Sequence, residues 1–154
     1  MTIPRRQRGF TLPELLTVLA IMTMLAVVAA PAYTGLVATM RARSTGTDLA
    51  TALNRARSEA IKRNAAVTLA PASAGNWQQG WRIADPQDAE RLLDDHPAVT
   101  GATIDGPASV VYLPNGRVRA ADLPAFDISV DGSDTLRCVA VDLSGRPNLT
   151  QAAC

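Results

Sequence analysis

The chain lacks most of what catalysis and metal binding require. Its 154 residues include one histidine, His96, and two cysteines, Cys138 and Cys154. A His/Cys metal site therefore has few ligands to draw on. His96 lies in an acidic stretch just before Pro97 and reads as a surface residue. There is no Gly-rich phosphate loop, no nucleophile elbow and no Cys/His pair at catalytic spacing. Acids and hydroxyls are scattered rather than grouped, so neither an enzyme nor a cofactor is expected. Fifteen Lys and Arg against fourteen Asp and Glu leave a net charge of +1, unlike a dedicated nucleic-acid binder. Internal repeats and low-complexity tracts are absent too.

The most consequential absence is local. From Leu15 to Met40 there is no Asp, Glu, Lys or Arg. A bilayer core needs roughly 20 such residues as a helix, and a secretory h-region is only about 7–15 long. Ala29-Ala30-Pro31 offers small residues of the kind found at signal-peptidase sites, which leaves a cleaved signal as the competing reading. Arg5, Arg6 and Arg8 precede the run and favour a cytoplasmic N-terminus. Arg41 and Arg43 at the far end pull the other way, but the first flank usually dominates.

Glu14 is the exception at the edge of this run. A carboxylate costs about 2.5–3.5 kcal/mol at a membrane-helix centre, and less near an edge. If the chain were cut after Gly9, the new amino group of Phe10 would lie one helical turn away, in the same chain or a neighbour. The first turn of a helix also favours a carboxylate. Glu14 simply marking the membrane boundary and reaching water is equally open.

Pro31 falls inside the helical pattern and is expected to kink it. A helix that simply leaves the membrane at Pro31 is the alternative. Beyond it, Leu49, Leu53, Ala56 and Ala60 recur at helical spacing, joined by Leu36, Met40 and Ile61. Arg41, Arg43, Arg55, Arg57, Lys62 and Arg63 form a basic opposite face, expected to be solvated. One helix of about 50 residues, ending near Asn64, is therefore expected. The period then changes. Ala66–Ala70, Trp77–Ile83, Val99–Ile104, Val110–Leu113, Phe126–Val130 and Leu136–Leu143 read as strands, bounded by Gly, Pro, Asn and Asp. Trp77 and Trp81 read as core residues. Asp85–Asp95, acidic and carrying Pro86, reads as a surface loop or irregular edge. The fold class is α+β, a long helix against a small antiparallel β domain.

Gly9-Phe10-Thr11-Leu12-Pro13-Glu14-Leu15-Leu16 resembles the N-terminal signal of type IV pilins and type II secretion pseudopilins. The resemblance implies cleavage between Gly9 and Phe10 by a prepilin peptidase and N-methylation of Phe10. It implies that Glu14 registers the subunit against a neighbour during assembly, and it links a proline near Pro31 to a bend. Pro13 departs from the usual Ile or Val, in a first turn that tolerates proline. The type IV pilin fold follows, with a leader at 1–9, a transmembrane and assembly half-helix at 10–40, an amphipathic half at 41–64 and a periplasmic β-rich domain at 65–154. The expected location is the bacterial inner membrane as a single pass, then the pilus or pseudopilus.

Arg57-Ser58-Glu59-Ala60-Ile61-Lys62-Arg63-Asn64, Trp77-Gln78-Gln79-Gly80-Trp81 and Val110-Val111-Tyr112-Leu113-Pro114-Asn115-Gly116 are similar to segments of the GspH/FimT group of minor pilins. The stretch Cys138 to Cys154, enclosing Ser144-Gly145-Arg146, looks like that group's C-terminal element. The two cysteines suit a disulfide if the domain is periplasmic, with two unpaired thiols as the alternative. Some members of the group bind DNA through a C-terminal Gly-Arg-x-Arg motif. Here Gly116-Arg117-Val118-Arg119 has the pattern in mid-domain, whereas Gly145-Arg146-Pro147-Asn148 lacks the second arginine. Arg117, Arg119 and Arg146 are the candidate DNA contacts. The resemblance thus implies a minor pilin that primes or caps a type IV pilus. A DNA-uptake pilin and a type II secretion pseudopilin are the alternatives. Expected partners are the prepilin peptidase, other minor and major pilins or pseudopilins, and the inner membrane.

Overall fold

Helix α1 runs from Leu12 to Arg63, 52 residues. The computed structural model describes residues 10–119, 123–131 and 133–154, with 31, 32 and 89 through their backbone only. Thr11 precedes the helix and Glu14 sits three residues on, the pattern of a capping box. Glu14 Oε2 lies 3.5 Å from both the backbone N and the hydroxyl of Thr11. At the other end Asn64 takes a left-handed φ of 50°. Ala65 N–H donates to Ala60 O and Asn64 N–H to Ile61 O. This is the Schellman arrangement, which satisfies the last helical carbonyls. It ends the helix where the sequence placed the end.

The chain divides into a first unit that ends at Leu36 and a second, Val37–Cys154. In the first, the large apolar side chains from Phe10 to Leu36 are exposed, from 43% at Val18 to 80% at Phe10. The most apolar window has a mean hydropathy of 2.3, and none of it is buried. The helix is long and apolar enough to cross a membrane, and such a surface needs a lipid or protein cover.

In the second unit the helix lays a face of small residues onto two sheets. Ala38, Ala42, Thr45, Leu49, Ala52, Leu53, Ala56 and Ala60 are buried, and Gly46 lets Leu149 and Ile128 approach the helix backbone. Met40 and Ile61 do not join this face, at 61% and 48% exposed, and Leu36 belongs to the first unit, where it is 52% exposed. The buried stripe is set by alanines, which allow close approach of the sheets. The basic face is not uniformly solvated either. Arg55 binds Asp94 and the Leu93 carbonyl, Arg57 the Gly116 carbonyl, and Arg63 both Glu59 and Asp85.

The strands are β1 (Val67–Ser73), β2 (Asn76–Asp85), β3 (Asp88–His96), β4 (Thr103–Asp105), β5 (Val110–Tyr112), β6 (Ala125–Ser129), β7 (Leu136–Val141) and β8 (Pro147–Thr150). They form two four-stranded sheets, ordered β3-β2-β1-β5 and β4-β6-β7-β8. Every pairing between named strands is antiparallel. Pro71 is accommodated in β1 beyond Leu69, the last residue paired with β5, where β1 is itself an edge. Trp77 joins the sheets: its ring meets Phe126 edge-on at 4.9 Å and its Nε1–H donates to Pro107 O.

Two expectations need correction, and one is decided between its alternatives. Of the surface loop or irregular edge expected for Asp85–Asp95, the structure has the edge: Asp88–His96 is β3, the outer strand of its sheet. Its register shifts twice near Ala84. Charge on such an edge discourages pairing with another chain. His96 is not in a loop. It ends β3, partly buried, and stacks on buried Trp81 at 3.9 Å. Of the expected Val99–Ile104 strand only Thr103 and Ile104 lie in β4, which runs to Asp105.

Candidate functional site

The N-terminal processing residues lie in the first unit. Gly9 falls outside the described residues. Phe10 is 80% exposed directly ahead of the helix, and Glu14 occupies the first turn, also exposed. In this chain the carboxylate turns back toward Thr11. The side chain of Pro31 lies outside the described residues, and with it the expected kink.

The second unit holds a site that only the structure reveals. Leu113–Arg117 and Asp142–Arg146 are two tight hairpin turns of one plan. In each, the glycine N–H donates back to the first residue (Gly116 to Leu113, Gly145 to Asp142). In each, a further bond closes the loop across five residues (Leu113 N to Arg117 O, Asp142 N to Arg146 O). Gly116 and Gly145 carry the positive φ, 76° and 79°, that this three-residue hairpin loop requires. Asn115 Oδ1 accepts from Arg117 N–H at 3.0 Å. Asp142 Oδ1 accepts from the Ser144 N–H, the Ser144 hydroxyl and the Arg146 N–H. The Ser144 hydroxyl, first, and the Arg146 N–H hold the Asp142 carboxyl below its ordinary pKa.

The two turns stack. A side chain at Gly145 would collide with the Gly116 backbone, and one at Gly116 would meet Ile61 and Arg57. Arg57 Nε donates to Gly116 O at 3.0 Å, and Arg117 Nε to Leu143 O at 3.1 Å. An open groove of about 440 Å³ results, lined by Arg57, Asn115, Arg117, Leu143 and Ser144. The dipeptides Gly116-Arg117 and Gly145-Arg146, distant in sequence, thus share one end of the domain. Arg119 is exposed and its N–H donates to Val111 O. Val118 between the two arginines bridges back to Tyr112. Sequence alone marked Arg117, Arg119 and Arg146 as candidate contacts and Arg57 only as part of a basic helix face, and it did not show the stacking. The only available signal was two Gly-Arg dipeptides after turn residues.

Cys138 on β7 and Cys154 are joined by a disulfide, with Cα atoms 5.1 Å apart. Cys154 N–H also donates to Asp127 Oδ1 at 2.7 Å, so the C-terminal segment is tied to β6 and β7. Among the described residues no group of three or more His, Cys, Asp and Glu could hold a metal ion.

Residues 4–30 match the prokaryotic N-terminal methylation motif, and residues 45–145 match the family described as Type II transport protein GspH. Two crystal forms of the type IV minor pilin FimU of Pseudomonas aeruginosa share the fold, each with a TM-score of 0.62. They are 22% and 23% identical to this chain, cover 70% of it, and are themselves covered to 87% and 91%. No curated protein sequence matches the chain. With a methylation motif leading an apolar helix, and the GspH match spanning most of the second unit, the chain belongs to the GspH family of the type IV pilin and pseudopilin superfamily.

Proposed function

We propose that the chain is a minor type IV pilin. It is cut between Gly9 and Phe10 by a prepilin peptidase, methylated on Phe10, and then helps to prime or cap a pilus. The observation that carries this reading is the first unit: an exposed, membrane-length apolar helix whose one acid, Glu14, sits one turn after Phe10. In the membrane the helix is covered by lipid, and in a filament by neighbouring helices. Glu14 then exchanges its contact with Thr11 for the amino group of a neighbour's Phe10. The domain after residue 64 faces the periplasm, where Cys138 and Cys154 oxidise, and it contacts other minor pilins. A strain lacking the chain should make fewer filaments. Wild type should restore them, whereas Glu14→Ala should be cleaved normally and fail to restore them. Full restoration by Glu14→Ala would overturn the assembly role.

A second reading, DNA capture, draws on the stacked Gly-Arg turns. Arg57, Arg117 and Arg146 lie on or beside one end of the domain, and cations in such a cluster suit phosphates. Binding through so few charges would be weak and salt-sensitive. A gel shift with the detergent-solubilised chain, and with Arg117→Ala, Arg119→Ala and Arg146→Ala, tests it. No shift at low salt would remove this reading. A pseudopilin role in type II secretion would instead show as lost protein export, with filaments intact, in the deletion strain.

A further inference from the structure

Arg137 has no role in anything described so far, and its surroundings are unusual. It lies on β7 opposite Ile128, in the row that continues with the core residues Val139 and Val141. The residue is only 6% exposed. Among the described residues its Nε is buried without a hydrogen-bond partner. Among the described residues its guanidinium has no ion pair. Arginine cannot shed its proton to relieve this, and a buried N–H left without an acceptor is unfavourable. The side chain lines a pocket of about 260 Å³ with Thr39, Asp134, Thr135, Leu136 and Gln151. At about 30 Å³ per water that is room for roughly eight waters, or a small polar group.

The other walls narrow the occupant. Thr39, Thr135 and Gln151 are neutral polar residues, the Thr135 hydroxyl already sharing a hydrogen bond with that of Ser133. Asp134 is an exposed carboxylate beyond ion-pair distance from Arg137, so a simple anion would meet repulsion on one side. A group with an anionic centre for Arg137 and a cationic, proton-donating centre for Asp134 would satisfy both. Position narrows it further. Thr39 stands at the end of the charge-free run that closes at Met40, and Met40 beside it in sequence and Leu136 in the pocket wall are exposed apolar side chains.

We propose that this pocket binds the zwitterionic headgroup of a phospholipid bearing a primary ammonium. The phosphodiester pairs with Arg137, and the ammonium pairs with Asp134. Basic pockets at the membrane surface recognise headgroups in this way. The inference rests on the membrane-inserted reading of the first unit.

The test uses the full chain in detergent, with phosphatidylethanolamine, phosphatidylcholine or phosphatidylglycerol added and retained lipid read by native mass spectrometry. Phosphatidylethanolamine should be retained over the other two. Arg137→Met should reduce its retention about tenfold, a loss of about 1.4 kcal/mol. Asp134→Asn changes an exposed residue, so its fold is safe. It should abolish the preference for phosphatidylethanolamine while leaving phosphatidylglycerol retention equal or higher. Glycerophosphoethanolamine, the headgroup without acyl chains, should compete if the headgroup alone is recognised. Equal retention of the three lipids by wild type, or an unchanged preference in Asp134→Asn, would overturn the pocket assignment. Flotation with vesicles separates the two premises. A chain that fails to float with vesicles contradicts membrane insertion itself, whereas one that floats without lipid preference contradicts only the pocket.

Discussion

The carbonyl of Gly116 occupies the space in which a side chain at Gly145 would begin. One turn belongs to the β5 side of the domain and the other follows β7, so this contact locks the two sheets together at one end. Alanine at 145 would add a collision to an unfavourable left-handed φ of 79°. Gly145→Ala should cost about 2–3 kcal/mol, or roughly 3–5 °C in Tm per kcal/mol for a unit of this size. Gly75→Ala is the control: φ is 72°, but nothing lies within 4 Å. It should cost only about 1 kcal/mol. Equal losses in a thermal melt would mean that the stacking contributes nothing.

Reduction should loosen the C-terminal segment first. The Cys138–Cys154 bridge closes a loop of sequence separation 16, worth about 3 kcal/mol in the chain-entropy model. Cys154→Ser should lower the unfolding midpoint by that order and expose β8 to limited proteolysis. Unchanged protease resistance would show that β8 holds its place without the bridge.

Arg63 joins two acids of very different exposure. Its Nη1 is 3.1 Å from both oxygens of Asp85, whose side chain is 3% exposed, and its Nε is 2.7 Å from Glu59. Arg63→Met would strand the Asp85 carboxylate with the Gln87 N–H and a distant Arg91, costing about 3 kcal/mol. The Arg63 hydrogen bond also holds Glu59 below its ordinary pKa, as the Ser144 hydroxyl does for Asp142. A depressed carboxylate binds protons less readily folded than unfolded. Its stabilisation is therefore complete above the unfolded value, about 4, and is lost as pH falls through the folded value. Denaturant midpoints should hold above pH 5 and fall in acid, with a shallower fall in Arg63→Met. An identical acid slope in both proteins would contradict this.

Tyr112 carries a buried hydroxyl with no partner among the described residues. Burial pushes its pKa far above the ordinary value, so it stays neutral through any physiological pH. Since no bond is lost, Tyr112→Phe should lie within about 0.5 kcal/mol of wild type, or slightly above it. A loss beyond about 1.5 kcal/mol by chemical denaturation would reveal a partner for the hydroxyl.

The readable parts of the sequence were those governed by short-range period. Leu49, Leu53, Ala56 and Ala60 announce one helix face because 3.6-residue spacing survives whatever they meet, and Asn64 announces its end. Trp77 and Trp81 announce a strand by alternation. The β3 segment reads only as a loop or an irregular edge because an edge strand tolerates charge, so Asp88–His96 carries loop-like composition while pairing with β2. Leu36, Met40 and Ile61 were misplaced because periodicity cannot tell a core face from a lipid-facing or half-covered one. The stacked glycines and the burial of Arg137 depend on contacts between distant segments. In the sequence they are only a glycine after a turn and an arginine within a strand.

The most direct test of the central claim is the mass of this chain recovered from filaments sheared off the cell. The account predicts a chain that begins at Phe10, carries one added methyl group and is present at low abundance beside a major subunit. A chain found only in the membrane fraction with residues 1–9 retained, or one beginning near Pro31 after signal-peptidase cleavage, would contradict it.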